Sequence, residues 1–119
     1  MKPHIPGQTP RPAQVPAGVQ SGLALYRAGY FWEAHEAWEP VWLATPPAAR
    51  ERAFLQGAIQ LANARLKLAR GRPRAAARIA PLAEAAFARA GAAPCFGLTA
   101  HWAEGELSEI RGALAKQAQ

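Results

Sequence analysis

The spacing of apolar residues along the chain predicts five α-helices joined by short loops. The clearest helix spans about Ala48–Arg70, where apolar side chains recur every three or four residues without an internal proline. Similar patterns predict helices near residues 19–28, 30–45 and 73–90, and a last helix capped by Thr99. The pattern therefore predicts an all-α fold, a single-domain antiparallel array of about five helices.

Prolines modify this picture at three places. Residues 1–17 contain five prolines, which predict an extended Pro-rich N-terminal arm ahead of a helical domain over residues 18–119. Pro40 and Pro81 lie inside the second and fourth helices, and each is expected to kink or divide its helix because it lacks a backbone donor. The third helix has an almost complete apolar perimeter, so we expect it to be central.

The composition supports helices and excludes several classes of protein. Thirty alanines stand against only ten Val, Ile and Thr residues together, a ratio that disfavours a β-sandwich or barrel. One cysteine excludes an intramolecular disulfide framework and a Cys-rich zinc site, and the absence of aspartate removes the usual Mg²⁺ ligands. No apolar run approaches the roughly 20 residues of a membrane span, and the chain starts without a signal-peptide core, so a cytoplasmic location is expected.

Two helices carry polar residues in unusual places. On a wheel of about 100° per residue, His35 falls on the aromatic face of the second helix. Glu36 and Glu39 are bordered by apolar groups there, so we do not expect both to be exposed. The third helix bears a narrow polar stripe inside its apolar perimeter, and we expect the three residues to face its two glutamines, Gln56 and Gln60, across a helix–helix interface. That stripe consists of Gln56, Gln60, Asn63 and Lys67.

These motifs carry a family resemblance. The run Gly29–Glu39 (GYFWEAHEAWE), followed by Trp42 and by Leu55–Ala62 (LQGAIQLA), resembles domain-of-unknown-function family 309. The resemblance implies a small all-α domain of bacteria and archaea without an established activity. Leu66 and Lys67 stand where the family often has histidines, which weakens a metal site that would need them. The polar signature that the resemblance implies consists of His35, Glu36, Glu39, Trp42, Gln56 and Gln60.

The polar cluster allows two functional interpretations. His35 and Glu39, four residues apart on a helix, could bind one divalent metal ion, with Glu36 as a further ligand or general base of a metal-dependent or acid/base enzyme. His101, at the start of the last helix, is a further candidate ligand. Alternatively, the cluster is a structural network, or a site for a small ligand or partner, in which amide side chains satisfy the carboxylates. In the second case the binding residues would be Trp38, Trp42, Gln56 and Gln60, although the size of both tryptophans favours a place in the core.

Positive charge is concentrated at the turn between the third and fourth helices. The net charge is +6, and no acidic residue lies between Glu51 and Glu84. Such a run predicts weak, non-specific binding of polyanions, including nucleic acid, or else a solvated corner, and no nucleic-acid recognition motif accompanies it. A homodimer is also left open, and no membrane partner is expected. The run consists of Arg65, Lys67, Arg70, Arg72, Arg74 and Arg78.

Overall fold

The computed structural model describes residues 15–117, and over this range the all-α prediction is confirmed. The five helices of this range are α1 (Ala17–Arg27), α2 (Phe31–Ala44), α3 (Arg50–Ala69), α4 (Pro73–Ala90) and α5 (Ala100–Gln117). Most of the predicted Pro-rich arm, residues 1–14, lies outside the described residues. None of the helices in the described part of the chain has the length and apolarity needed to cross a membrane.

The helix ends follow from identifiable residues. Gly29 and Gly71 adopt positive φ angles of 90° and 69°, the left-handed conformation that glycine tolerates best, and end α1 and α3. Each turn closes with a backbone hydrogen bond of 2.8 Å, from Tyr30 to the Leu25 carbonyl and from Arg72 to the Lys67 carbonyl. The predicted cap on α5 is confirmed, because Oγ1 of Thr99 accepts a 3.1 Å hydrogen bond from the Trp102 amide.

The two internal prolines do not divide their helices. Residues Phe31–Ala44 and Pro73–Ala90 each form one continuous helix, so of the two effects predicted for Pro40 and Pro81, a kink or a division, the division does not occur. Both prolines are exposed, and each removes only one backbone donor from its helix. In α2, Trp38 before Pro40 is buried and Trp42 after it packs against the core, and in α4 buried alanines lie on both sides of Pro81.

The core is built around α3, as its apolar perimeter predicts. This helix packs against α2, α4 and α5, and eight of its residues are buried. Its contact with α4 is close because the five buried residues of α4 are all alanine. At Gly57 of α3, a Cβ atom would lie only 2.8 Å from the Phe87 ring of α4, so the absence of a side chain permits this approach.

Candidate functional site

The polar cluster between α2 and α3 is centred on His35. Burial of Ala34 and Trp38 turns this side of α2 toward α3, and His35 remains 20% exposed. Its Nδ1 lies 3.0 Å from Oδ1 of Asn63, and its Nε2 lies 2.9 Å from Oε2 of Glu39. Asn63 also donates through Nδ2 to Oε1 of Gln60, at 3.3 Å. Both ring nitrogens of His35 therefore lie within hydrogen-bond distance of oxygen atoms from side chains of this domain.

Only part of the predicted interface forms. His35 hydrogen-bonds to the stripe on α3 at Asn63 rather than at either of the two expected glutamines. Glu36 and Glu39 are both exposed, against our expectation. Glu36 lies about 100° around α2 from His35, which carries it past the α3 contact. Gln56 points to α4 instead, where its Oε1 accepts a 3.2 Å hydrogen bond from Nη2 of Arg89. The stripe on α3 therefore divides between contacts with α2 and contacts with α4.

A metal ion would find an incomplete set of ligands at His35. Among residues 15–117, no group of three histidine, cysteine or acidic side chains is placed to hold one. The contact between His35 and Glu39 supplies two ligands, whereas a structural zinc site uses four and a catalytic site three from the protein. His101 is exposed at the start of α5.

The predicted ligand-binding tryptophans pack within the domain. Trp38 is 1% exposed, and its Nε1 donates a 3.1 Å hydrogen bond to the Val19 carbonyl of α1. Trp42 lies beneath the Arg52 guanidinium, which is 4.5 Å from its ring centroid. Arg52 also donates through Nη1 to the carbonyls of Trp42 and Thr45, at 3.1 and 2.9 Å, and so satisfies the end of α2. These contacts favour a core role for Trp38 and a capping role for Arg52, whereas Nε1 of Trp42 is buried without a hydrogen-bond partner among residues 15–117.

A second polar network, which the sequence did not predict, joins α1, α3 and α5. The hydroxyl group of Tyr26 accepts a hydrogen bond from Nε of Arg65 and donates one to Oε1 of Glu106, both at 2.6 Å. Nη2 of Arg65 lies 2.8 Å from Glu106 and 2.7 Å from Glu109. Burial, and then the hydrogen bond to Glu106, raise the pKa of Tyr26 well above its ordinary value. This tyrosine is therefore a poor general base, and we interpret the network as structural.

This network separates Arg65 from the other cations of the Arg-rich run. Arg70, Arg72, Arg74 and Arg78 are exposed, and Lys67 is half-buried. The end of α5 joins them, because its last turn lines a cavity together with Arg74. All four ion pairs found within residues 15–117 involve other residues. We call this end of the helical array the basic corner, and it consists of Lys67, Arg70, Arg72, Arg74, Arg78 and Lys116.

Comparisons with known proteins agree on the family. The family described as a domain of unknown function, DUF309, matches residues 19–79. The chain is similar to the crystal structure of a conserved hypothetical protein from Thermus thermophilus, with 37% sequence identity and a TM-score of 0.67. This similarity covers 86% of the present chain and 99% of the Thermus chain. No match was found among functionally curated proteins.

Proposed function

The chain belongs to the DUF309 family of domains of unknown function, and we propose that it is a non-enzymatic domain that binds nucleic acid. In this proposal the basic corner contacts the phosphate backbone, and the His35 cluster holds α2 on α3. The observation that carries it is the contrast between the basic corner and the arginines elsewhere. Four of those arginines, each bound to groups within the domain, are Arg50, Arg52, Arg65 and Arg111.

This contrast argues against the alternative that the basic corner is only a solvated part of an arginine-rich protein. A high arginine content alone would not make the arginines at one end of the domain differ from those elsewhere. Among residues 15–117, five of the six arginines beyond the basic corner donate hydrogen bonds to groups of the domain, as Arg50 does to the Ala90 carbonyl at 2.8 Å. The sixth, Arg27, is exposed and makes no such contact within this range. Within residues 15–117, the ion pairs leave the basic corner unneutralised. Repulsion between these like charges is unfavourable for the free protein and would be relieved by a polyanion.

The geometry favours contact with the phosphate backbone of a nucleic acid and not with its bases. Guanidinium groups can bind phosphate oxygens through two parallel hydrogen bonds. The helix dipoles at this corner oppose one another, because α4 begins there whereas α3 and α5 end there, so the positive potential comes from the side chains. No helix of this corner carries a recognised groove-reading motif, so we expect weak binding without sequence preference.

The test compares two arginines at opposite ends of α4. Fluorescence anisotropy of a short labelled DNA duplex, titrated at several salt concentrations, gives the affinity and its salt slope. Arg74→Gln should weaken binding. If one phosphate contact is lost, the plot of the logarithm of the binding constant against the logarithm of the salt concentration should become less steep by about 0.9. Arg89→Gln, also at an exposed position but hydrogen-bonded to Gln56, changes the net charge equally and should have a smaller effect. Equal effects, or tight sequence-selective binding that resists salt, would contradict the proposal.

The structural role of the His35 cluster is tested separately. In a double-mutant cycle of His35→Ala and Asn63→Ala, we expect a coupling free energy of about 1 kcal/mol, as for a typical hydrogen bond. Added Zn²⁺ should leave the melting temperature unchanged. If Zn²⁺ raises the melting temperature and Glu39→Gln abolishes that rise, the metal hypothesis replaces the structural one.

The cytoplasm is the location we propose, because nucleic acid is present there. Light scattering on the same samples would detect a homodimer, the other partner that the sequence left open.

A further inference from the structure

A cavity of about 330 Å³ lies between α4 and α5, apart from both the His35 cluster and the basic corner. It exists because the facing positions of the two helices are small residues, including Ala88 and Gly91 on one side and Ala100 and Ala103 on the other. These side chains are too short to fill the space. The volume falls within the range of about 300–1,000 Å³ that is typical of sites for small organic molecules.

The wall of the cavity is aromatic and fixed in place. Phe54 of α3 and Phe87 of α4 line it, with their ring centroids 5.2 Å apart in an edge-to-face arrangement. The Phe87 ring packs against Gly57 of α3, where a Cβ atom would lie 2.8 Å from it. Because the wall is preformed, an aromatic ligand could pack against it without reorganising the core.

The charged residues around the cavity determine which sign of charge on a ligand is favoured. Arg111 is already bound to Glu84, at 2.6 Å, so these two charges largely cancel. Glu104 is exposed, lines the same cavity, and takes part in none of the ion pairs of residues 15–117. The rim therefore carries one uncompensated negative charge on a protein whose net charge is +6.

From this combination we infer that the cavity binds a small organic cation with an aromatic body, its ammonium group beside Glu104 and its ring against Phe54 and Phe87. At about 30 Å³ per water-sized group, the space accommodates roughly eleven such groups, which suits a single ring with a short amine chain. The inference is independent of nucleic-acid binding, because the cavity shares no residue with the basic corner.

The experiment titrates three probes of similar size, 2-phenylethylammonium, 2-phenylethanol and 3-phenylpropionate, and follows backbone amide NMR shifts of residues that line the cavity. We expect the ammonium to bind most tightly, the alcohol less tightly and the carboxylate least. Equal affinity for the three probes, or no shifts with the ammonium at about 10 mM, would overturn the inference.

Two variants assign the binding to this cavity. Glu104→Gln should weaken the ammonium about two- to fivefold, as expected for an exposed ion pair, and leave the alcohol unchanged. Glu33→Gln removes an exposed acidic residue of α2 and is the matched control, with no effect expected. Ala88→Leu places a larger side chain at an exposed lining position and should abolish binding of both probes while the protein remains folded. Unaltered binding in Ala88→Leu would show that the probes bind elsewhere.

Discussion

Arg65 is expected to be the most sensitive charged residue of the domain, and its replacement by methionine should cost about 2–3 kcal/mol of unfolding free energy. The substitution retains much of the aliphatic side chain and removes the guanidinium that joins Tyr26 to Glu106 and Glu109. Glu106 is only 19% exposed, and its one remaining hydrogen-bond donor within residues 15–117 would be the hydroxyl group of Tyr26.

The magnitude follows from burial. Breaking a fully buried ion pair by removing one partner costs about 3–5 kcal/mol, because a charge is left uncompensated. Arg65 and Glu106 retain 20% and 19% exposure, so water screens part of that cost and we reduce the estimate to about 2–3 kcal/mol. Glu109 is 67% exposed, and the loss of its contact should contribute less than about 1 kcal/mol.

Urea unfolding followed by circular dichroism measures the effect, and a double variant identifies its cause. Arg65→Met combined with Glu106→Gln removes the stranded charge but keeps an acceptor for the Tyr26 hydroxyl. This pair should recover at least about 1 kcal/mol relative to Arg65→Met alone. Arg111→Met, which breaks an ion pair whose members are 51% and 57% exposed, is the control and should cost less than about 1 kcal/mol. If Arg65→Met costs no more than this control, or if the two changes are additive, the reasoning about burial is wrong.

Two further predictions concern alkaline pH and close helix packing. The pKa of Tyr26 is raised in the folded state, so stability that is present below about pH 10 should fall at higher pH by about 1.4 kcal/mol per unit. Urea melts at several pH values measure this decline. Tyr26→Phe should reduce it, whereas Tyr30→Phe, at an exposed position, should not. If the unfolding free energy falls equally steeply with pH in the two variants, the decline does not come from Tyr26. Gly57→Ala should destabilise the protein by about 1–3 kcal/mol through its clash with Phe87, whereas Gly105→Ala, which meets no atom within 4 Å, should stabilise it by about 0.5–1 kcal/mol. Thermal melts of both glycine variants decide this, and a stabilising Gly57→Ala would show that Phe87 can move aside.

The fold could be predicted from the sequence because its signals are local. Pro73 and Gly91 bracket α4, and the predicted bounds of that helix, residues 73–90, agree with the structure. At Pro40 and Pro81 the sequence left a kink and a division open, because a local rule counts the missing donor but not the tertiary packing that keeps each helix continuous.

The polar sites were harder to predict because they depend on how helices are rotated against one another. A helical wheel placed His35 correctly near α3. It could not show that His35 is partly buried while Glu36, about 100° away, is exposed. The Tyr26 network was missed because its partners lie 39 and 80 residues away in the chain. Its one sequence signal was a cation, Arg65, flanked by the apolar residues Ala64 and Leu66.

The alanine face of α4 determines how this protein can change in evolution. Its five buried positions already hold the smallest chiral side chain, and they press against a helix that supplies glycine at one contact point. Substitution by a larger residue must therefore separate the two backbones, and substitution by glycine weakens the helix. The outward surface of the same helix is free of this restriction. Substitutions in α4 are thus tolerated almost entirely on its solvent-exposed side, where new charged or binding residues can be introduced without disturbing the core.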